Sequence, residues 1–113
     1  MLSTELELAA GDRGDAYHWD QNNETWLIVV AGAPIVRTPD GEYTLGPGDL
    51  VCFPRGPDGA REIANPGPAA VRVLLLATAY EPALRHFPRD GTLLVTPPGS
   101  LYRADDADAH DLA

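Results

Sequence analysis

The stretch that decides the fold is GPGDLVCFPRG, residues 46–56. A glycine- and proline-rich turn, 46–49, leads into the short apolar run 50–54, and a second loop, 55–59, follows at once. A run of about five apolar residues between two turns is too short for a typical helix and is typical of a strand with one or both faces buried. This stretch therefore predicts a strand held between two tight turns.

The same rhythm of short strands and turns continues in both directions. Leucine and glutamate alternate near the N-terminus, and residues 26–30 combine aromatic and β-branched side chains, which are enriched in strands. We predict strands at 2–8, 17–20, 26–30, 35–38, 43–45, 50–54, 61–64, 71–77 and 92–95, with 85–91 irregular. No long amphipathic helix is predicted. So many short strands in a small chain favour a closed barrel or jelly roll, because closure removes exposed strand edges.

Length indicates the number of domains, and charge limits the classes of possible partners. A chain of 113 residues is expected to form one domain. The formal net charge is −9, and all eight basic residues are arginines. An acidic surface repels phosphate backbones and anionic lipids, so we expect neither nucleic acid nor membrane as a partner. The absence of lysine excludes a Schiff-base mechanism.

The cysteine content and the N-terminus predict a cytoplasmic protein. The single cysteine, Cys52, cannot form an internal disulfide and is expected to be a buried structural thiol in an apolar strand. Residues 1–12 lack the basic and apolar regions of a signal peptide. The longest apolar runs, 26–31 and 73–77, are far shorter than the roughly 20 residues of a membrane helix.

Two segments resemble the signature motifs of the cupin superfamily, in particular those of small single-domain bacterial cupins of the conserved cupin 2 barrel type. The first is 17–26, continuing to Gly32, and the second is 46–56, continuing to Arg61 and Asn65. The resemblance implies an all-β fold, a cupin-type β-barrel or double-stranded β-helix (jelly roll). It implies one domain over 1–113, with an N-terminal strand or arm at 1–15, a barrel at 16–96 and a C-terminal arm at 97–113. It also implies a homodimer.

The resemblance further implies a metal site, which this sequence alters at nearly every ligand position. Only His18 matches; Asp20 stands where a second histidine belongs, and Arg61 stands where the last one belongs, four residues before the motif's asparagine. The glutamate ligand corresponds to Glu24 by its spacing from His18, but to Thr25 when the count runs back from the glycine that ends the first motif. Arginine stays charged and has no lone pair to donate, so Arg61 cannot bind a metal.

We therefore predict a pocket formed by His18, Asp20, Glu24 and Arg61, with no tightly bound metal favoured. Residues one apart on a strand point to the same face, so His18 and Asp20 share a face. Arg61 is predicted either to pair with Asp20 across the altered metal site or to bind an anionic group of a ligand. A solvent-exposed Arg61 is the third alternative.

Three classes of function remain open. The first is a protein that binds a small polar or anionic molecule in the barrel. The second is a metal-dependent dioxygenase or isomerase that uses His18, Asp20 and Glu24 to bind iron, manganese, nickel or zinc. The third is a non-catalytic module with a structural role in a dimer. Serine-triad, phosphate-loop and dinucleotide motifs are absent from the sequence, so no catalytic residue is assigned.

Overall fold

The computed structural model describes residues 1–103, and this part of the chain contains eleven strands and one short 3₁₀ turn at Pro57–Gly59. In chain order the strands are β1 Leu2–Leu8, β2 Trp19–Asp20, β3 Thr25–Ala31, β4 Ile35–Thr38, β5 Gly41–Thr44, β6 Leu50–Phe53, β7 Glu62–Ala64, β8 Val71–Ala77, β9 Ala83–Phe87, β10 Thr92–Thr96 and β11 Ser100–Arg103. The all-β fold predicted from the turn-punctuated apolar runs is confirmed. Within these residues no helix has the length and apolar character to cross a membrane.

The strands form three antiparallel sheets. The largest has the order β1-β8-β3-β6, the second β5-β4-β7, and the third β11-β10-β9-β2. Strand β3 pairs with β8 on one side and with β6 on the other, so strands far apart in sequence become neighbours. This non-local pairing brings the loop after β6 and the start of β3 to the same end of the molecule.

The hydrophobic core lies between the largest sheet and the β5-β4-β7 sheet. Side chains of β3 are buried alternately, so Leu27 and Val29 point inward, and Val71 and Val73 of β8 pack beside them. Val36 of β4 contributes from the facing sheet. Such alternation is what a sheet with one buried face requires, and it fixes which side chains of β3 face the interior.

The prediction that residues 85–91 are irregular was wrong for 85–87 and is confirmed for 88–91, which form a turn. Ala83–Phe87 form β9, which pairs with β10 on one side and with β2 on the other. The segment contains an arginine and a histidine and is only half-buried, so its composition resembles that of a loop. Strand β11 was also not predicted. The predicted C-terminal arm at 97–113 includes β11, and its residues after Arg103 lie outside the described part of the chain. The expectation that Cys52 is buried was wrong, because this residue is exposed.

A close backbone contact shapes the turn that follows β6. The Gly59 amide donates to the Gly56 carbonyl at 3.0 Å, and the Ala60 amide donates to Pro57 at 3.1 Å. A methyl group on Gly59 would overlap the carbonyl oxygen of Pro54. Only glycine fits there, because both parts of the contact are main chain. The turn ends just before Arg61, so it also fixes where that side chain begins.

Gly59→Ala is therefore expected to lower the free energy of unfolding by about 2–3 kcal/mol or more, since the backbone must move to admit the methyl group. Thermal unfolding followed by circular dichroism measures this loss. Gly46→Ala is the matched control, because its added methyl group would meet nothing closer than Asp49 at 4.0 Å. Equal melting temperatures for the two variants would contradict the packing described for this turn.

Candidate functional site

A cavity of about 430 Å³ opens at one end of the barrel. Its volume falls within the range of roughly 300–1,000 Å³ that is typical of small-molecule sites. Apolar walls come from Leu6 of β1, Phe53 of β6 and Leu75 of β8. The polar and charged side chains that line it include two arginines and two carboxylates: Asp15, His18, Thr25, Arg61, Glu62 and Arg85. The cavity thus combines an apolar wall with a small group of polar residues.

The strand register places the charged residues side by side. His18 and Arg61 exchange both backbone hydrogen bonds, at 3.1 and 2.9 Å, and therefore lie directly opposite each other. Asp20, two residues further along the same segment, lies opposite Arg85 of β9. Because residues two apart share a face, the side chains of His18 and Asp20 lie on the same face, with Arg61 on one edge of this segment and Arg85 on the other. These four residues form one charged array.

Asp20 forms ion pairs with both arginines of this array. Its Oδ2 accepts from Nη2 of Arg61 and its Oδ1 accepts from Nε of Arg85, both at 3.0 Å. Asp20 and Arg61 are 5% and 4% exposed, so these charges are almost fully removed from water. The predicted Asp20–Arg61 ion pair is confirmed. A solvent-exposed Arg61 is ruled out by the same burial.

The remaining contacts of Arg61 hold its guanidinium group in place. It donates to Thr25 Oγ1 at 3.0 Å and to the Gly59 carbonyl at 3.2 Å. The guanidinium carbon also lies 4.9 Å from the centre of the Phe53 ring, which is a cation–π geometry. Burial lowers the pKa of Arg61, and the carboxylate of Asp20 opposes that shift. An arginine with these partners remains charged at neutral pH.

Arg85 is the functional candidate that the sequence analysis missed. Besides its bond to Asp20, it donates from Nη1 to Asp15 at 3.2 Å, and its side chain is 32% exposed. A usable signal was present, because Asp90-Gly91 is a typical hairpin turn and implies a strand on each side. Without that strand, nothing linked Arg85 to a residue 65 positions away in sequence.

His18 is neutral and its tautomer is defined. Its Nδ1 lies 2.7 Å from the carbonyl oxygen of Ala16, which can only accept, so Nδ1 carries the proton. Burial lowers the pKa of His18 to about 4, helped by the charges of Arg85 and Arg61. The hydrogen bond to Ala16 and the charge of Asp20 act in the opposite direction but do not prevail.

The pKa of Asp20 is also lowered. Burial alone would raise it, but the charges of Arg85 and Arg61, with the hydrogen bond from Arg85, outweigh that effect. Asp20 is therefore an ionised, acceptor-only group at neutral pH. Both of its oxygens are already engaged by guanidinium donors.

Glu24 lies away from the cavity that the sequence predicted it to line. Its carboxylate pairs with Arg55 at 3.5 Å and is one-third exposed. The side chains of β3 alternate from Thr25, which is buried and lines the cavity, so Glu24 falls on the opposite side. Counting back from Gly32 therefore identified the inward-facing position, and counting forward from His18 did not.

The side chains at this position do not fit a divalent transition metal. With Glu24 elsewhere, His18 and Asp20 are the remaining donors of the predicted set, and Asp20 is held by two guanidinium groups. Among residues 1–103, no three side chains of histidine, cysteine, aspartate or glutamate come together in a way that could bind a metal ion. Two fixed positive charges beside such an ion would also repel it.

Comparisons with known proteins agree on the fold. The family model described as "Cupin domain" matches residues 4–77. The structure is similar to a sugar phosphate isomerase of the cupin superfamily from Silicibacter pomeroyi, with a TM-score of 0.85, 20% identity, and coverage of 91% of this chain and 67% of that chain. It is also similar to a protein from Acidithiobacillus ferrooxidans that is provisionally named a sugar phosphate isomerase (TM-score 0.84, 21% identity, 92% and 67% coverage).

A cupin protein from Bacteroides fragilis is a further structural neighbour, with a TM-score of 0.60, 20% identity, and coverage of 70% of this chain and 65% of that chain. No curated protein matches the chain by sequence. Identities this low establish a shared fold and carry no activity from one protein to the other.

The lowered pKa of His18 predicts a loss of stability as the pH falls. An unfolded histidine titrates near pH 6.5, whereas in the folded protein the pKa is about 4. Between these values the unfolded chain binds a proton that the folded chain does not, so acidification favours unfolding. From this group alone we expect about 2 kcal/mol less stability at pH 5 than at pH 7.5.

Urea denaturation of the wild type and of His18→Gln at several pH values between 5 and 7.5 measures this contribution. The variant is expected to lose that share of the pH dependence, because glutamine does not titrate. Asp20 does not interfere, since its lowered pKa places its own loss of stability at a more acidic pH. The assignment would be wrong if both proteins lost stability equally over this range.

Proposed function

Since this chain belongs to the cupin family, we propose that its barrel cavity binds a small molecule carrying a carboxylate or phosphate group, without a tightly bound metal. The observation that carries this proposal is the charge balance beside the cavity. Two arginines that line the cavity, Arg61 and Arg85, share the buried carboxylate of Asp20. Two further carboxylates line the cavity: Glu62 is buried but lies within 4.0 Å of three other arginines, and Asp15 is 71% exposed and therefore largely solvated.

The electrostatic environment of His18 supports a positive potential in this cavity. Arg85 and Arg61 each affect its pKa more strongly than Asp20 does, so the net field at the ring is that of a cation. This is the reverse of the overall protein charge of −9. The apolar walls strengthen the effect, because charges interact more strongly when water is excluded.

Arg85 has the geometry to contact such a ligand directly. Its Nε and Nη1 are engaged by Asp20 and Asp15, while its Nη2 has no acceptor among residues 1–103. A guanidinium group is well suited to carboxylates and phosphates because its planar donors match their oxygens. Arg61 also lines the cavity but is more deeply buried, with 4% of its surface exposed.

The two alternative functions have less support. A dioxygenase or isomerase dependent on iron, manganese, nickel or zinc would need Glu24 near His18, but Glu24 pairs with Arg55 instead. A purely structural module would need no excess of buried positive charge beside an open cavity. The names of two structural neighbours make sugar phosphates reasonable members of a ligand panel. Sugar phosphates also carry the anionic group that the two arginines favour.

Thermal shift measurements test the proposal. Acetate, inorganic phosphate and several sugar phosphates are added at constant ionic strength, with chloride as the reference salt. A ligand at ten times its Kd stabilises the folded state by about 1.4 kcal/mol, which corresponds to a rise in Tm of roughly 5 °C for a domain of this size. We expect Arg85→Gln to lose the rise. Arg72→Gln is the matched control, because Arg72 pairs with Glu5 on an exposed strand surface.

Two results would count against the proposal. One is a panel in which no anion raises the Tm more than chloride does, or in which Arg85→Gln responds as the wild type does. The other concerns the metal: stoichiometric iron, manganese, nickel or zinc in protein purified without chelator or nickel resin, lost on His18→Ala, would establish a metal-dependent site.

A further inference from the structure

We propose that His18 is a specificity residue that accepts a hydrogen bond from a ligand hydroxyl, so that the cavity selects hydroxylated anions over the same anions without a hydroxyl group. This inference rests on the proposed function, because it assumes that an anionic group is held at Arg85. It adds a second recognition element and narrows the ligand class to hydroxy acids and phosphorylated polyols or sugars.

The first support is the fixed direction of the imidazole ring. Ala16 offers only a carbonyl oxygen to Nδ1, so the proton of the neutral ring resides there. Nε2 is then left with a lone pair and can only accept a hydrogen bond. The tautomer of a neutral histidine is set by the hydrogen-bond partners of its two ring nitrogens. Here the partner of Nδ1 is a backbone carbonyl.

The second support is the position of Nε2. It has no hydrogen-bond partner in the part of the chain that the structure describes, and no fully buried side-chain nitrogen or oxygen there lacks a partner. Nε2 must therefore be accessible, and His18 lines the cavity. The face of the ring is flanked by Phe87, whose centroid lies 5.9 Å away, so the ring is also held by packing.

The third support is the charge around this acceptor. A ligand group that donates to Nε2 can be a hydroxyl or an ammonium group. An ammonium group beside this nitrogen would face the two arginines, Arg85 and Arg61, whose charges already lower the pKa of the ring. A hydroxyl group is neutral and is not repelled by the two arginines. Because His18 lies directly opposite Arg61 in the register, and Asp20 opposite Arg85, the acceptor and the cationic donors belong to one array. A hydroxyl close to an anionic group matches that array.

Matched ligand pairs test the inference. Lactate is compared with propionate, and glycerol 3-phosphate with propyl phosphate, by titration calorimetry on the wild type, His18→Phe and Arg85→Gln. For the wild type we expect the hydroxylated member of each pair to bind roughly fivefold to tenfold more tightly, because this is the gain in affinity that one additional neutral hydrogen bond provides. His18→Phe is expected to bind both members of a pair equally, with about the affinity that the wild type has for the member without the hydroxyl. Arg85→Gln is expected to weaken both members of a pair.

The possible failures are distinguishable. If no anion binds the wild type, the proposed function itself fails; if both members of each pair bind equally, only the role of His18 is overturned. If the His18→Phe variant does not fold, a second measurement on the wild type still tests the inference. Nitrogen-15 NMR of the wild-type imidazole should show an unprotonated Nε2 whose resonance moves with lactate and not with propionate. A protonated Nε2, or identical changes with both ligands, would overturn the inference.

Discussion

The carboxylate of Asp20, shared between Arg61 and Arg85, is the interaction on which the rest of the site depends. Each oxygen of the carboxylate accepts from a different guanidinium group at 3.0 Å. Removing such charges from water costs several kcal/mol per ion unless they are paired and hydrogen-bonded. The arrangement therefore requires all three residues, and it links two sheets. Asp20 and Arg85 belong to the third sheet, whereas Arg61 lies immediately before β7 of the second sheet.

This ion pair network explains why the site differs from a metal centre built at corresponding positions. A metal centre assembles neutral imidazoles and carboxylates around a cation, whereas here Arg61 provides a permanent cation of its own. The carboxylate of Asp20 neutralises this charge, and Arg85 brings a second positive charge to the same carboxylate. The result is two positive charges on one buried carboxylate beside the cavity. On this basis we propose that the cavity prefers an anionic ligand to a divalent metal ion.

Local sequence pattern predicted much of the fold. The strands at 35–38 and 71–77 have the predicted bounds. In both, a short run of strand-forming residues stands between two clear turn signals. The Asp20–Arg61 pair could be predicted because motif positions gave each residue a place on a known scaffold. The strand that carries Arg85 could have been predicted from the Asp90-Gly91 turn, but the contact of Arg85 with Asp20 could not, because the pairing of β9 with β2 is non-local and leaves no local signature. Glu24 was misplaced because a one-residue change of register moves a side chain to the opposite face of a strand.

The most direct test is an anomalous difference map from crystals grown with selenate, an anion that scatters strongly at the selenium edge. The account predicts a selenium peak within hydrogen-bond distance of the Arg85 guanidinium group, inside the cavity, with the Asp20–Arg61 pair intact. A transition-metal peak bound to the Nε2 of His18, or selenate confined to the outer surface, would contradict it.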